Sequence, residues 1–187
     1  LVASAYRRSF LQDQGIKLAS VRAGNVIGGG DWADDRLIPD ILRSFENGDS
    51  VIIRNPKATR PWQHVLEPLS GYLVLAQKLY KDQKEYAEGW NFGPNEQDVK
   101  PVDWILNKMI VSWPNSSWKL DESSNPHEAG FLKLDISKSK SKLDWNPVWE
   151  LSHTLERIIS WHKAWLNKEN MQIVCLTEIK IYMKGMK

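Results

Sequence analysis

Apolar residues follow two alternating patterns along this chain, helical spacing in one stretch and a short run in the next. Leu37, Ile38, Ile41, Leu42 and Phe45 share one helical face, with Pro39 tolerated in the first turn and Asn47-Gly48 as the stop. Leu66, Leu69, Leu73, Ala76 and Leu79, with Pro68 near the start, predict an amphipathic helix reaching Lys84. Pro101 opens another, carrying Val102, Ile105, Leu106, Met109 and Ile110 and ended by Trp113-Pro114. Asp135 is a plausible cap for a short helix over Ser137 to Leu143. Leu151, Leu155, Ile158, Ile159, Trp165 and Leu166 form one stripe on a helix from Glu150 to Asn167. The tail from Met171 to Tyr182 suits a helix, although its Ile and Val content also suits a strand.

Between these lie strand-like segments: Lys17 to Val26, expected to be buried, then Val51 to Ile53, Trp90 to Phe92 and Trp118 to Leu120. Asn55 to Arg60 reads as a loop, and Asp121 to Pro126 as another. Short strands alternating with helices predict an α/β fold. Leu1 to Phe10 reads as a helix already in progress, because no capping residue and no Met precede Val2, Ala5, Tyr6 and Phe10. The element is expected to begin upstream.

Composition narrows the function classes. Of the 187 residues, 42% are hydrophobic and 26% charged, which suits a folded globular chain. The net charge of +2 is too small to imply nucleic acid or an acidic membrane, so an anionic ligand would have to be held by local geometry. No apolar run approaches the ~20 residues that span a bilayer. The single Cys175 forms no internal disulfide, which suits a reducing cytoplasm. Ten Trp are expected to fill cores and pocket walls.

Four features carry candidate chemistry. Gly28-Gly29-Gly30-Asp31 follows a strand end, where backbone amides can approach an anion, though a tight turn needing positive φ is the favoured account of this feature alone. It is not a dinucleotide fingerprint, since Ala33 stands where the third glycine would fall. Arg54, Lys57 and Arg60 place three cations within seven residues, and guanidinium forks match phosphate oxygens. Set against this, basic loops are commonly just solvated. Trp62 and His64 read first as packing residues. Tyr80 and Lys84 form a Tyr-x-x-x-Lys pair at the polar end of a surface helix, where chance explains it. Loop solvation or capping accounts for Asp31, Asp34, Asp35 and Glu67.

The stretch Ser20 to Leu75 carries Arg22, Asn25, Val26 and Gly28 in an Arg-x-x-Asn-Val-x-Gly element, then Asp-Arg-Leu-Ile-Pro (Asp35 to Pro39) and Arg-Pro-Trp-Gln-His-Val (Arg60 to Val65). With Asn91 to Pro94, His127 to Ala129, Leu134-Asp135 and Leu143 to Pro147, it resembles the extended short-chain dehydrogenase/reductases that dehydrate or epimerise sugar nucleotides. The likeness covers essentially the whole chain and points to the subfamily that acts on CDP-glucose. Asp144 departs from it, since relatives usually carry Gly there.

The resemblance implies the C-terminal part of an NAD(P)-binding Rossmann-type, doubly wound fold, interleaved with a small α/β substrate-binding domain. Residues 1–27 would be the last helix and strand of the Rossmann-type domain, and 28–187 mainly the sugar-nucleotide domain, with 66–93 returning to the Rossmann-type sheet. It further implies that Asn25 and Arg60 hold the diphosphate and that Leu37 and Ile38 line the nucleobase slot. Arg54, Asn91 and His127 would lie near phosphates or ribose, and Trp32 and Trp62 would wall the pocket. NAD would be held mainly upstream, where the catalytic Tyr-x-x-x-Lys also falls, so no catalytic residue, cofactor contact or metal ligand is assigned here. The expected partners are CDP-glucose or a related sugar nucleotide and, at full length, a second protomer. Another dehydratase or epimerase, or a non-catalytic binding remnant, remains an open alternative.

Overall fold

The computed structural model describes residues 1–123 and 130–186. Among them helices and short, mostly parallel strands alternate: α1 (Val2–Tyr6), a π turn (Arg7–Leu11), β1 (Ser20–Ala23), β2 (Asn25–Ile27), α2 (Leu37–Asn47), β3 (Ser50–Ile53), β4 (Thr59–Arg60) and β5 (Trp62–His64). Then follow α3 (Leu66–Tyr80), β6 (Gly89–Phe92), β7 (Lys100–Pro101), α4 (Val102–Ser112), β8 (Ser117–Leu120), α5 (Ser137–Leu143), α6 (Leu151–Leu166) and α7 (Met171–Gly185). β1 pairs in parallel with β6, β2 with β5 and β3 with β8, while β4 and β7 are antiparallel. The expected α/β class is the observed one.

Two apolar cores result. The larger joins α2, β3, α4 and α6 through Ile38, Ile41, Phe45, Val51, Ile105, Leu106, Met109, Leu151, Leu155 and Ile158. The smaller joins α3, β6 and α5 through Leu75, Trp90, Phe92, Ile136, Leu143 and Trp145. Helix α2 ends at the expected stop, with Gly48 in the left-handed conformation at φ 74°. Helix α5 ends on Asp144 at φ 54°, the position where relatives usually carry Gly, so the departure falls on a left-handed C-cap. Asp135 accepts from Ser137 N at 2.8 Å and helps start the same helix.

Several expectations need correcting. The face assigned to α3 is rotated: Leu69 is 46% and Leu73 72% exposed, while Glu67, Pro68, Ser70, Gly71 and Leu75 are buried. Small residues win this face because they let the helix approach β6, and because Glu67 and Ser70 have polar partners inside. The helix also stops at Tyr80, and Lys84–Tyr86 forms a separate 3-10 turn. Val21 is 40% exposed, because among the described residues β1 has a strand on one side alone. Trp165 and Leu166 leave the buried stripe of α6. Thr59 and Arg60 are a strand rather than loop, and the tail is a helix.

A buried polar tie fastens α7 to this frame. The Glu67 carboxylate accepts from Val148 N (3.0 Å), Trp149 N (2.8 Å) and the Tyr182 hydroxyl (2.9 Å). Ser70 Oγ accepts from Trp145 Nε1 at 2.9 Å and lies 3.0 Å from the same hydroxyl. Glu67 is therefore neither a loop residue nor a cap, as its residue type suggested. It is a satisfied interior acceptor, which is how a carboxylate survives burial.

A Cβ on Gly71 would lie 2.3 Å from the Phe92 ring. Gly71→Ala should therefore lower stability by about 1–3 kcal/mol through overpacking, read as a lower urea midpoint at unchanged slope.

Candidate functional site

The site forms where β2 and β5 run side by side. Their register sets Asn25 opposite Trp62 and Ile27 opposite His64, and the entry is fixed by Asn25 N bonding Pro61 O at 2.8 Å. A cleft of about 550 Å³ opens there, lined by Asn25, Asp31, Asp35, Arg36, Leu37, Ile38, Pro39, Pro61, Trp62, Leu132 and Leu134, among others. A smaller cleft of about 210 Å³ adjoins it and carries Asn25, Asp35, Leu37, Asp40, Arg54, Asn55, Arg60 and Trp62. Asn25, Asp35, Leu37 and Trp62 line both. The larger cleft thus combines apolar walls at Ile38, Pro39, Leu132 and Leu134 with the charged Asp31 and Arg36, and the smaller holds two guanidinium groups, two amides and two carboxylates.

Five of the seven residues expected at the substrate site line these clefts: Asn25, Leu37, Ile38, Arg54 and Arg60. Arg60 donates to its neighbour's carbonyl, Thr59 O, at 3.0 Å. Asn91 stands elsewhere, its amide bridging Arg22 (3.0 Å) and the carbonyl of Asp135 (3.0 Å). His127 lies outside the described residues. Trp62 is a wall of both clefts, whereas Trp32 lines neither. Asp35 is the residue that sequence reasoning passed over. It sits at φ 58° and faces both clefts, and its place at the head of the Asp-Arg-Leu-Ile-Pro element was the available signal.

The glycine run turns out to serve packing. A Cβ on Gly29 would lie 2.2 Å from Cδ2 of Trp161, and one on Gly28 would lie 2.9 Å from Val65. Neither Gly28, Gly29 nor Gly30 lines the two clefts. The run therefore offers no cradle that fits a dinucleotide pyrophosphate. Tyr80 projects from the end of α3 at 91% exposure, in keeping with a chance Tyr-x-x-x-Lys match.

His64 lies behind the clefts, not in them. It is buried, its Nδ1 accepts from Leu66 N at 3.3 Å, and its ring packs on Trp149. Burial, followed by the positive charges of Arg157 and His153, pulls its pKa down from 6.5 to about 4. Burial also pushes the Glu67 carboxyl up, against the opposing backbone bonds from Trp149 and Val148. Among the described residues no helix is long and apolar enough to cross a membrane.

This geometry defines an α/β chain with a two-part cleft beside the β2–β5 pair. Residues 1–91 match the model of the NAD dependent epimerase/dehydratase family. Over 99% of its length the chain is 59% identical to CDP-glucose 4,6-dehydratase of Salmonella typhimurium, and it spans 53% of that relative. The fold is shared with dTDP-glucose 4,6-dehydratase from Bacillus anthracis in complex with NAD, at TM-score 0.70 and 18% identity, covering 87% of this chain and 48% of that one. It is also shared with UDP-glucuronic acid 4-epimerase from Bacillus cereus in complex with UDP-glucuronic acid and NAD, at TM-score 0.69 and 20% identity, covering 88% and 49%.

A lowered histidine pKa has a definite sign. The neutral form is favoured by folding, so the stability His64 contributes is present above pH 6.5 and is lost as pH falls towards 4. The loss should reach about 3 kcal/mol. Glu67, Asp98 and Glu178, raised by burial, act in the opposite sense, so the comparison is made against a variant. Denaturant titrations of the parent and His64→Asn between pH 7 and pH 4 should converge as pH falls; parallel curves would count against a buried neutral His64.

Proposed function

We propose that this chain is the substrate-recognising part of a CDP-glucose 4,6-dehydratase. The observation that carries the reading is the meeting of the two clefts at Asn25 and Leu37, with Arg54 and Arg60 in the smaller and Ile38 in the larger. The diphosphate lies against Arg60, Arg54 and the Asn25 amide, because charge-assisted bonds from guanidinium forks suit phosphate oxygens. The nucleobase lies between Leu37, Ile38 and Trp62, where apolar walls exclude water and leave polar edges to backbone groups. Asn91 and His127 belong to a second rank near the ribose. The identity to a CDP-glucose 4,6-dehydratase supports cytidine as the nucleoside.

In the proposed reaction CDP-glucose loses water to give CDP-4-keto-6-deoxyglucose, and bound NAD supplies the hydride removal and return. The residues described here bind and orient the sugar nucleotide. NAD is held mainly by the remainder of a full-length enzyme, a placement supported by the poor fit of the glycine run and by the exposed Val2, Tyr6, Phe10 and Val21 along α1 and β1. Residues 1–27 and 66–93 then complete the Rossmann-type sheet, a reading supported by the parallel pairing of β1 with β6. Exposed Leu69 and Leu73 offer α3 to a second protomer of a homodimer. The lone thiol Cys175 suits a cytoplasmic setting.

Calorimetric titration with CDP-glucose tests the assignment. Arg60→Ala should weaken binding by about 1.5–3 kcal/mol, and an unchanged affinity in a folded variant would remove Arg60 from the site. Asn25→Ala should cost more affinity than Asn55→Ala, since Asn25 lines both clefts and Asn55 the smaller one. Equal losses would contradict the placement of the diphosphate.

A further inference from the structure

The segment Gly28–Arg36 carries neither helix nor strand, yet it brings Asp31, Asp35 and Arg36 to the larger cleft. What holds it in place is aromatic. Trp161 of α6 lies so close that a Gly29 side chain would meet its indole at 2.2 Å. Trp32, in the middle of the segment, packs on Trp165, His162 and Trp161 with ring centroids 4.4, 5.6 and 6.3 Å away. From the opposite side Arg43 of α2 donates to the carbonyls of Trp32 (3.2 Å) and Ala33 (3.5 Å) and pairs with Asp34 (2.9 Å).

Next to the segment's last residue, Asp35 takes a left-handed backbone at φ 58°, a conformation uncommon for L-residues though commoner for Asp. Two elements from the larger core therefore grip this segment, α6 through rings and α2 through Arg43. We infer that Trp32 is a positioning residue for nucleotide recognition: seated on Trp161, His162 and Trp165, it fixes the segment so that Asp35, Arg36 and Leu37 present their side chains to the clefts. The inference rests on the reading of the clefts as the sugar-nucleotide site. Trp32 touches neither cleft, so its effect is transmitted through the backbone it anchors. It is also 45% exposed, so removing it leaves both cores filled.

The test uses the whole 187-residue chain as parent, Trp32→Ala and Trp32→Phe. Amide hydrogen exchange without ligand reads the anchoring, and titration with CDP reads its consequence. In Trp32→Ala, exchange over residues 28–37 should speed up about tenfold while α2 and α6 keep their protection. CDP affinity should fall about tenfold through lost preorganisation. Trp32→Phe, which keeps a ring on Trp165, should recover most of both. Unchanged exchange in Trp32→Ala overturns the inference, as does faster exchange with CDP affinity within about twofold of the parent. A parent chain that binds no CDP instead fails the cleft reading, and the inference falls with it whatever the exchange shows.

Discussion

The parallel pairing of Asn25–Ile27 with Trp62–His64 is the constraint on which the rest of the molecule depends. It joins two segments far apart in the chain and leaves no freedom in how they meet. Asn25 N is bonded to Pro61 O, Val65 N to Ile27 O, and a side chain at Gly24 would strike Pro61 O at 2.3 Å. A shift of one residue would turn every side chain of β5 to the opposite face, exchanging the buried Gln63 with the buried His64 and Trp62. With the register set, Asn25 stands beside the strand that carries Arg60, and the chain leaving β2 must return past the clefts before entering α2.

Around that pair the structure spends its polar and aromatic residues on fastening. Gln63 donates to Phe92 O at 2.8 Å, linking the β2–β5 pair to β6. Asp98 accepts from Leu151 N at 2.9 Å and starts α6. Glu67 draws in the backbone of Val148 and Trp149 together with Tyr182, so the segment before α6 and the last helix share one acceptor. These contacts connect the smaller core to the larger through buried hydrogen bonds. The tryptophans supply the apolar counterpart of these polar ties. Trp62, Trp90, Trp145 and Trp161 are buried, and Trp104, Trp113 and Trp118 pack against the larger core.

Much of this was legible in the residues. Period and punctuation place α2, α4, α5 and α6 within a residue or two, because apolar spacing and Gly or Pro boundaries agree there. The cleft residues Asn25, Leu37, Ile38, Arg54 and Arg60 came from motif matches, and the structure brings all five together. What misled was hydrophobicity taken as the sole measure of an inner face. In α3 the inner positions are Glu67, Ser70 and Gly71, chosen for hydrogen bonding and close approach, so Leu69 and Leu73 point outwards. The glycine run makes the tight turn that its residues suggest, with Gly30 at φ 79°, but its close partner Trp161 lies more than a hundred residues later and no local pattern announces it. Asp35 reads as a solvated or capping carboxylate because loop carboxylates are common and a left-handed backbone is not visible in a sequence.

On the function proposed above, these residues recognise the sugar nucleotide while the nicotinamide cofactor is bound elsewhere in a full-length enzyme. The most direct measurement is a pair of calorimetric titrations of this 187-residue chain, one with CDP-glucose and one with NAD. The account predicts saturable heat from CDP-glucose and none from NAD. Saturable binding of NAD without any response to CDP-glucose would contradict it.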